Sequence, residues 1–536
     1  MIKLSRVLLG IGVIGVFGMT SSLAYQVLTN HNNAARTGRV GGETQLTPAN
    51  VSGLKILFQM PVDGQVYAQP LCVTNQLVYK AGVSAGKHSI AIVATEHGSV
   101  YAFNAKTGAM YWQVSLLDQG CSPVQASDPN LNGCTDVAPE IGITATPVID
   151  RSAGPHGSVF VVMMETDGQG NYNYKLHALD LATGKDALTP VVLSGSVSGQ
   201  GPATTFVAIK QRSRAALLLS NGVIYVAFGA FCDPDVLPYA GWLLGYRESN
   251  LSQVATFSDN PNGAPPSQYL IDGSGGGIWQ AGLGPAVDKA GYIYVATGNG
   301  PFDQTLNGGF PANQDYGDTV LKLSTNNGLT VVDYFTPYNQ QQEANNDVDL
   351  ASGGVVALPT IFDTNKKGHD LLVVTGKDTN IYMLDRGNLG KFNGTQNKIY
   401  QEIDGVNGGG AWSSPAYFNG SIYCCGINTT LKRFQFDFSN PNKPLLNPTP
   451  AAQTVQTFYF PGLTPSISSD GTRNAIVWAY EYVGDNAKLH AYDATTLTEL
   501  YNSGGLLGGG VKFAVPTICN GVVYLGTANS LVAFGL

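Results

Sequence analysis

One phrase recurs along this chain and limits what it can fold into: a β-branched strand ending near Tyr, a short turn, then an aromatic-Ala-aromatic strand followed by Asp-x-x-Thr-Gly. The clearest copies are VYAFNAKTG from Val100, KLHALDLATG from Lys175 and KLHAYDATT from Lys488. Weaker copies begin at Trp242, Val320, Ile381, Leu431 and Leu531, which makes eight. A proline just inside a strand precedes most units, at Pro70, Pro147, Pro285, Pro359, Pro415, Pro465 and Pro516, and only the third unit, around Ala215 to Val226, lacks it. The period runs from about 42 to 77 residues. Four short strands per unit at such a period mean a β-propeller, because one twisted sheet cannot bury both faces until it stacks on its neighbours in a ring. The expected fold is therefore all-β, an eight-bladed β-propeller of four-stranded antiparallel blades. Its last strand, Leu531 to Leu536, should end beside the first blade, with an N-terminal segment helping to close the circle.

Composition agrees. Only 12% of the 536 residues are charged while Gly takes 66 positions and Tyr plus Phe 47, a balance that favours strands joined by tight turns. Lys3 and Arg6 precede an apolar run from Val7 to Phe17, and Ser22 and Ala24 stand at the −3 and −1 positions of an Ala24/Tyr25 cut. That is the pattern of a cleaved signal peptide, too short to span a bilayer. Residues 1–24 are thus read as the leader and 25–536 as one propeller domain, periplasmic or extracellular, with no membrane span. The net charge of −8 makes nucleic acid a poor partner. Gly10, Gly12 and Gly15 match a dinucleotide-binding spacing but lie inside the leader.

Among seven cysteines, Cys121 and Cys134 lie in one polar loop and are expected to form a disulfide. Cys424 and Cys425 read as two buried thiols, and Cys72, Cys232 and Cys519 as apolar filler. Asp128, Asn130, Asn132 and Gly133 open like a calcium loop, but Pro139 stands where its closing Glu belongs, so a polar turn is expected.

The repeat AFNAKTGAMYW ending at Trp112, and the segment from Asn32 through Leu46 to Lys55, resemble the quinoprotein alcohol dehydrogenase-like eight-bladed propellers built from pyrroloquinoline quinone (PQQ) type repeats. The resemblance implies a stacking Trp under PQQ, a Ca²⁺ ion, a catalytic Asp and a cation at the quinone oxygens. The stretch from Gly277 to Asp303 looks like the blade that supplies the Trp and the Ca²⁺-ligating Asn, which gives Trp279 and Asn299. Lys377 falls where the quinone-contacting cation belongs, and the loop after Thr336-Pro337 offers Asp347 or Asp349 as the catalytic base. Glu140 does not match the position of the family's Ca²⁺-ligating Glu. Structural roles are open for the same residues: blade packing for Trp279, a turn for Asn299 and an exposed turn for Lys377. Glycine clusters precede several innermost strands, and Trp279, Trp412 and Phe513 follow three of them, which suggests an aromatic rim at the channel mouth.

Two functions follow. One is a PQQ- and Ca²⁺-dependent dehydrogenase oxidising a small alcohol, sugar or aldehyde; it needs a separate electron acceptor, since no C-x-x-C-H is present for an attached haem. The other is a non-catalytic propeller binding a glycan, peptide or assembly partner through its channel face.

Overall fold

A computed structural model describes residues 25–199, 203–232, 239–262, 275–484, 486–505 and 507–536; the expected leader lies outside them. Eight antiparallel blades of four strands follow one another along the chain, the sixth and seventh each carrying one further short strand. Every copy of the repeated phrase is the third strand of its blade, from Ser99–Asn104 in blade 1 and Tyr172–Asp180 in blade 2 to Ser530–Gly535 in blade 8. The Asp-x-x-Thr-Gly turn works through its side chains. Asp180 Oδ1 accepts from the amides of Ala182 and Thr183 at 3.1 and 3.0 Å, and Asp493 Oδ1 does the same for Thr495 and Thr496. Gly184, at φ +71°, closes the second copy, and a Cβ there would come within 2.5 Å of the Trp112 ring. Trp112 of blade 1 therefore docks on blade 2, where its indole donates to Leu181 O at 3.2 Å.

The core lies between blades. Tyr174 of blade 2 meets Phe228 of blade 3 edge-on at 5.1 Å, and Phe206 packs against both Phe228 and Trp242. Blade 8 draws its outermost strand from the N-terminal region: Lys55–Pro61 pairs antiparallel with Ser530–Gly535, Ile56 opposite Phe534 and Met60 opposite Leu531. This is the expected closure: a strand from the N-terminal region completes the last blade and fastens the two ends of the chain to one sheet.

Ahead of that strand, an arm from Tyr25 to Val40 circles the channel and bonds to each blade at or beside its innermost strand. Val27 bridges Cys72 of blade 1, and Leu28 O accepts from Ile149 of blade 2. The Arg36 guanidinium donates to Leu217 O beside blade 3. Ala34, Ala35, Thr37 and Gly38 accept from Val287, Ala357, Tyr417 and Ile467 in blades 4 to 7, and Tyr25 N donates to Asn520 Oδ1 beside blade 8. Arg36 is fully buried, and further bonds to Pro285 O, Thr29 Oγ1 and Asn30 O satisfy its charge.

The cysteine pairing differs from expectation. Cys134 is bonded to Cys232, 98 positions away, and Cys121 is free. Proximity in sequence misled, because the ring brings the blade 1–2 loop against the end of a blade 3 strand. Cys72 and Cys519, expected as filler, form a second bridge that ties the innermost strands of blades 1 and 8. Cys424 and Cys425 are free and buried, as expected. The segment from Asp128 is a polar turn: Asp128 Oδ1 caps Asn130 N at 2.9 Å at the start of a short 3₁₀ turn, Pro129–Leu131.

Candidate functional site at the channel mouth

At the end of the channel away from the arm lies a cavity of about 300 Å³ lined by aromatic and charged side chains from several blades. Blades 4 and 5 supply one wall. Trp279 stands just before the 3₁₀ turn Gln280–Gly282 that leads into blade 4, and Asn299 follows that blade's second strand, Ile293–Ala296. Asp347 and Asp349 sit in the loop between the two blades, and Lys377 follows Leu371–Thr375 of blade 5. Trp279, Asp347, Asp349 and Lys377 all line the cavity.

These residues touch. Asn299 donates its backbone N–H to Asp349 Oδ1 and its side-chain amide to Asp347 Oδ1, both at 2.8 Å. Lys377 Nζ lies 2.6 Å from Asp349 Oδ2 and 2.8 Å from Asp347 Oδ1, with the rings of Trp279 and Trp412 centred 6.0 and 5.6 Å away. Burial pulls the Lys377 ammonium toward its neutral form, but the two carboxylates outweigh it and hold its pKa above the ordinary lysine value. Gly298 makes the approach possible, since a Cβ there would stand 2.5 Å from Asp349 Oδ1. Asn299 Oδ1 is buried and has no hydrogen-bond partner. Behind Asp349, Asp318 is fully buried and held well above the usual carboxylate range, chiefly by burial and then by the charge of Asp349.

Blades 3 and 8 add residues to the lining, of which the sequence had marked only Phe513, as part of the expected aromatic rim. Arg212 and Arg214 precede the innermost strand of blade 3, and Lys512 and Phe513 precede that of blade 8. Arg212 pairs with Asp136 at 3.0 Å. The Arg214 guanidinium lies 4.0 Å from the centre of the Phe513 ring. Phe460 joins the aromatic rim, edge-on to Trp412 at 5.9 Å and to Phe513 at 6.1 Å. The one available signal was local: Arg212-Ser-Arg214 is a pair of charges in a charge-poor chain, just ahead of the only unit without its proline. Glu140 does not line this cavity; its carboxylate pairs with His97 at 3.0 Å. The Cys134–Cys232 bridge lies at the rim, beside Asp136.

A smaller cavity continues inward. It shares Arg214 and Phe513 with the first and reaches Asn30 of the arm, so the arm closes the channel at that end.

The sequence matches no family model and no curated protein sequence. Solved structures do match over almost the whole chain. The quinohemoprotein alcohol dehydrogenase of Comamonas testosteroni superposes with a TM-score of 0.58 at 15% identity, covering 95% of this chain and 80% of that one. The quinohemoprotein alcohol dehydrogenase ADHIIG of Pseudomonas putida HK5 gives 0.57 at 14%, covering 96% and 80%. A europium-containing methanol dehydrogenase gives 0.59 at 13%, covering 95% and 98%. The chain thus has the eight-bladed propeller fold of the quinoprotein alcohol and methanol dehydrogenases; at such identities the likeness concerns fold alone.

Proposed function

We propose that this protein is a periplasmic or secreted quinoprotein-type dehydrogenase, exported by residues 1–24, that oxidises a small alcohol, sugar or aldehyde at the channel mouth. The observation that carries the reading is the buried, unpartnered Oδ1 of Asn299, a residue whose backbone and side-chain N–H groups contact Asp349 and Asp347 at the wall of the cavity that those acids and Trp279 line. A hard divalent cation such as Ca²⁺ seeks oxygen donors of this kind, and Asn299 Oδ1, Asp347 and Asp349 would hold it. Trp279 offers a flat apolar surface on which PQQ would stack. PQQ, when bound, supplies the two-electron acceptor that an alcohol oxidation requires.

The chain's own residues do the rest. Asp349, buried against Asn299 N–H, is oriented to take the substrate's hydroxyl proton, and Asp347 is the more exposed alternative. Lys377 pairs with both carboxylates and places a positive charge beside the Trp279 face. Trp412 and Phe460 narrow the entrance and limit water. Electrons leave to a separate acceptor.

One observation favours a second reading: Lys377 already pairs with both carboxylates, which suits a non-catalytic propeller binding a glycan, a peptide or an assembly partner on its aromatic rim. Reconstitution with PQQ and Ca²⁺ separates the two. The dehydrogenase reading expects a quinone absorbance that stays with the protein through gel filtration and dye-linked oxidation of an alcohol panel, both lost in Trp279→Ala. A protein that retains no quinone and reduces no dye refutes it and leaves the binding reading.

A further inference from the structure

The Arg214 side chain is buried to 4% exposure, yet among the described residues it has no carboxylate and no hydrogen-bond acceptor; its neighbours are the faces of Phe513 and Tyr67, at 4.0 and 5.7 Å. Stacking on Phe513 covers one face of the guanidinium and leaves its in-plane N–H groups to the cavities that Arg214 lines. Lys512 faces the first of these cavities and also makes no ion pair or hydrogen bond with a described residue. Arg212 is different, because Asp136 already neutralises it.

Two neighbouring cations that share the field of one carboxylate, Asp136, already paired with Arg212, are costly in a half-desolvated cavity. The strain shows in both groups: burial and the Arg212 charge pull the Arg214 guanidinium down to about 10, and burial lowers Lys512 with Arg214 and Arg212 adding to it against Asp136. Asp347 and Asp349 are paired with Lys377 and make no ion pair with Arg214 or Lys512. Arg214 and Lys512 therefore have room for an acceptor that the described chain does not supply.

We infer that Arg214 and Lys512 form a carboxylate subsite, and that the channel mouth receives a small planar or aromatic organic acid whose carboxylate lies against Arg214 while its ring meets Phe460 and Trp412. The volume of about 300 Å³ admits a molecule the size of a benzenedicarboxylate. A fork of N–H donors held in one plane by a stacking ring suits a carboxylate better than a hydroxyl, because both oxygens are engaged at once. The inference goes beyond the dehydrogenase reading and does not need it.

The test uses the mature protein, treated with chelator and free of quinone, so its failure does not bear on the dehydrogenase reading. Isophthalate and its neutral diamide are titrated against it by calorimetry and by quenching of tryptophan fluorescence. Isophthalate is expected to bind at least tenfold tighter than the diamide, with the preference falling as salt screens the charges. Arg214→Gln and Lys512→Gln should each abolish the preference. Arg214→Gln should also melt at or above the parent temperature, since it removes an unpaired buried charge. Equal binding of acid and diamide overturns the proposal, as does an Arg214→Gln protein that melts lower while keeping the preference, which would make the guanidinium a structural clamp. PQQ with Ca²⁺ is then added to the isophthalate-loaded protein. Simultaneous binding supports a separate acidic ligand, and displacement overturns it by assigning the subsite to the carboxylates of the quinone.

Discussion

Replacing Lys377 by Met tests whether the ammonium at the channel mouth stands in for a bound cation. The Lys377 side chain is 11% exposed and Asp349 only 3%, whereas Asp347 is 75% exposed, so Asp349 carries most of the energetic consequence. Removing one partner of a buried pair costs about 3–5 kcal/mol, while the exposed partner contributes about 1 kcal/mol or less. With an unfolding entropy of about 2.1 cal/mol/K per residue, a chain of roughly 500 residues loses about 1.1 kcal/mol per degree near its midpoint, so Lys377→Met should melt about 3–5 °C lower in chelator. The same change frees Asp347 and Asp349 to join the already unpartnered Asn299 Oδ1 around a divalent cation. Calcium at a hundredfold excess over its Kd then returns about 2.7 kcal/mol, or some 2–3 °C. Scanning calorimetry with and without Ca²⁺ measures both shifts, and terbium luminescence sensitised by Trp279 and Trp412 reports the ion at the site. The variant Lys377→Met/Asp349→Asn should regain stability in chelator and lose the calcium response, because it no longer buries a charge. The reasoning is refuted if Lys377→Met melts like the parent and ignores calcium.

Three further outcomes follow from the fold. Cys72→Ser/Cys519→Ser opens a loop of 447 residues, which on the chain-entropy model costs about 6 kcal/mol, or some 5 °C in the midpoint; in the unaltered folded protein Cys121 alone should react with maleimide, and peptide mapping should find Cys134 joined to Cys232. Burial raises the Glu96 carboxyl from 4.5 to about 7, so the folded state holds a proton there that the unfolded chain has released. The stability this contributes, about 3 kcal/mol, is complete below about pH 4.5 and lost as pH rises to about 7, and Glu96→Gln should flatten that part of the pH–stability curve measured by urea unfolding. Arg36→Met strips donors from four acceptors around the channel and should cost about 3–5 kcal/mol in the same measurement, with ring closure visible as slower hydrogen exchange in the parent only.

What could be read from the residues was whatever repeats or keeps a fixed order. The aromatic-Ala-aromatic phrase marks one strand in every blade because each blade must present the same packed surface to its neighbour, so period and count were both visible. Trp279, Asn299, the acids and Lys377 fell together because their blades adjoin in sequence and in space. The cysteine partners were hidden, since Cys134 meets Cys232 only after a whole blade has folded between them, and Cys72 meets Cys519 only when the ring is complete. Arg214 and Lys512 were hidden for a similar reason. They approach from blades 3 and 8, and no local pattern announces that a lysine and an arginine almost three hundred positions apart will share one wall.

The arm from Tyr25 to Val40 imposes an order of events on the chain. Its acceptors and donors come from all eight blades, the last of them at Asn520, so the part of the polypeptide made first has no complete binding surface until nearly everything else exists. Until then it must remain extended and solvated, a state that its polar sequence of Asn, His, Arg and Thr tolerates well. Docking of the arm is thus a late checkpoint: a ring with a missing or misfolded blade offers it a gap, and the buried charge of Arg36 turns that gap into a penalty. A seal threaded through every subunit of the circle inspects the circle as it closes.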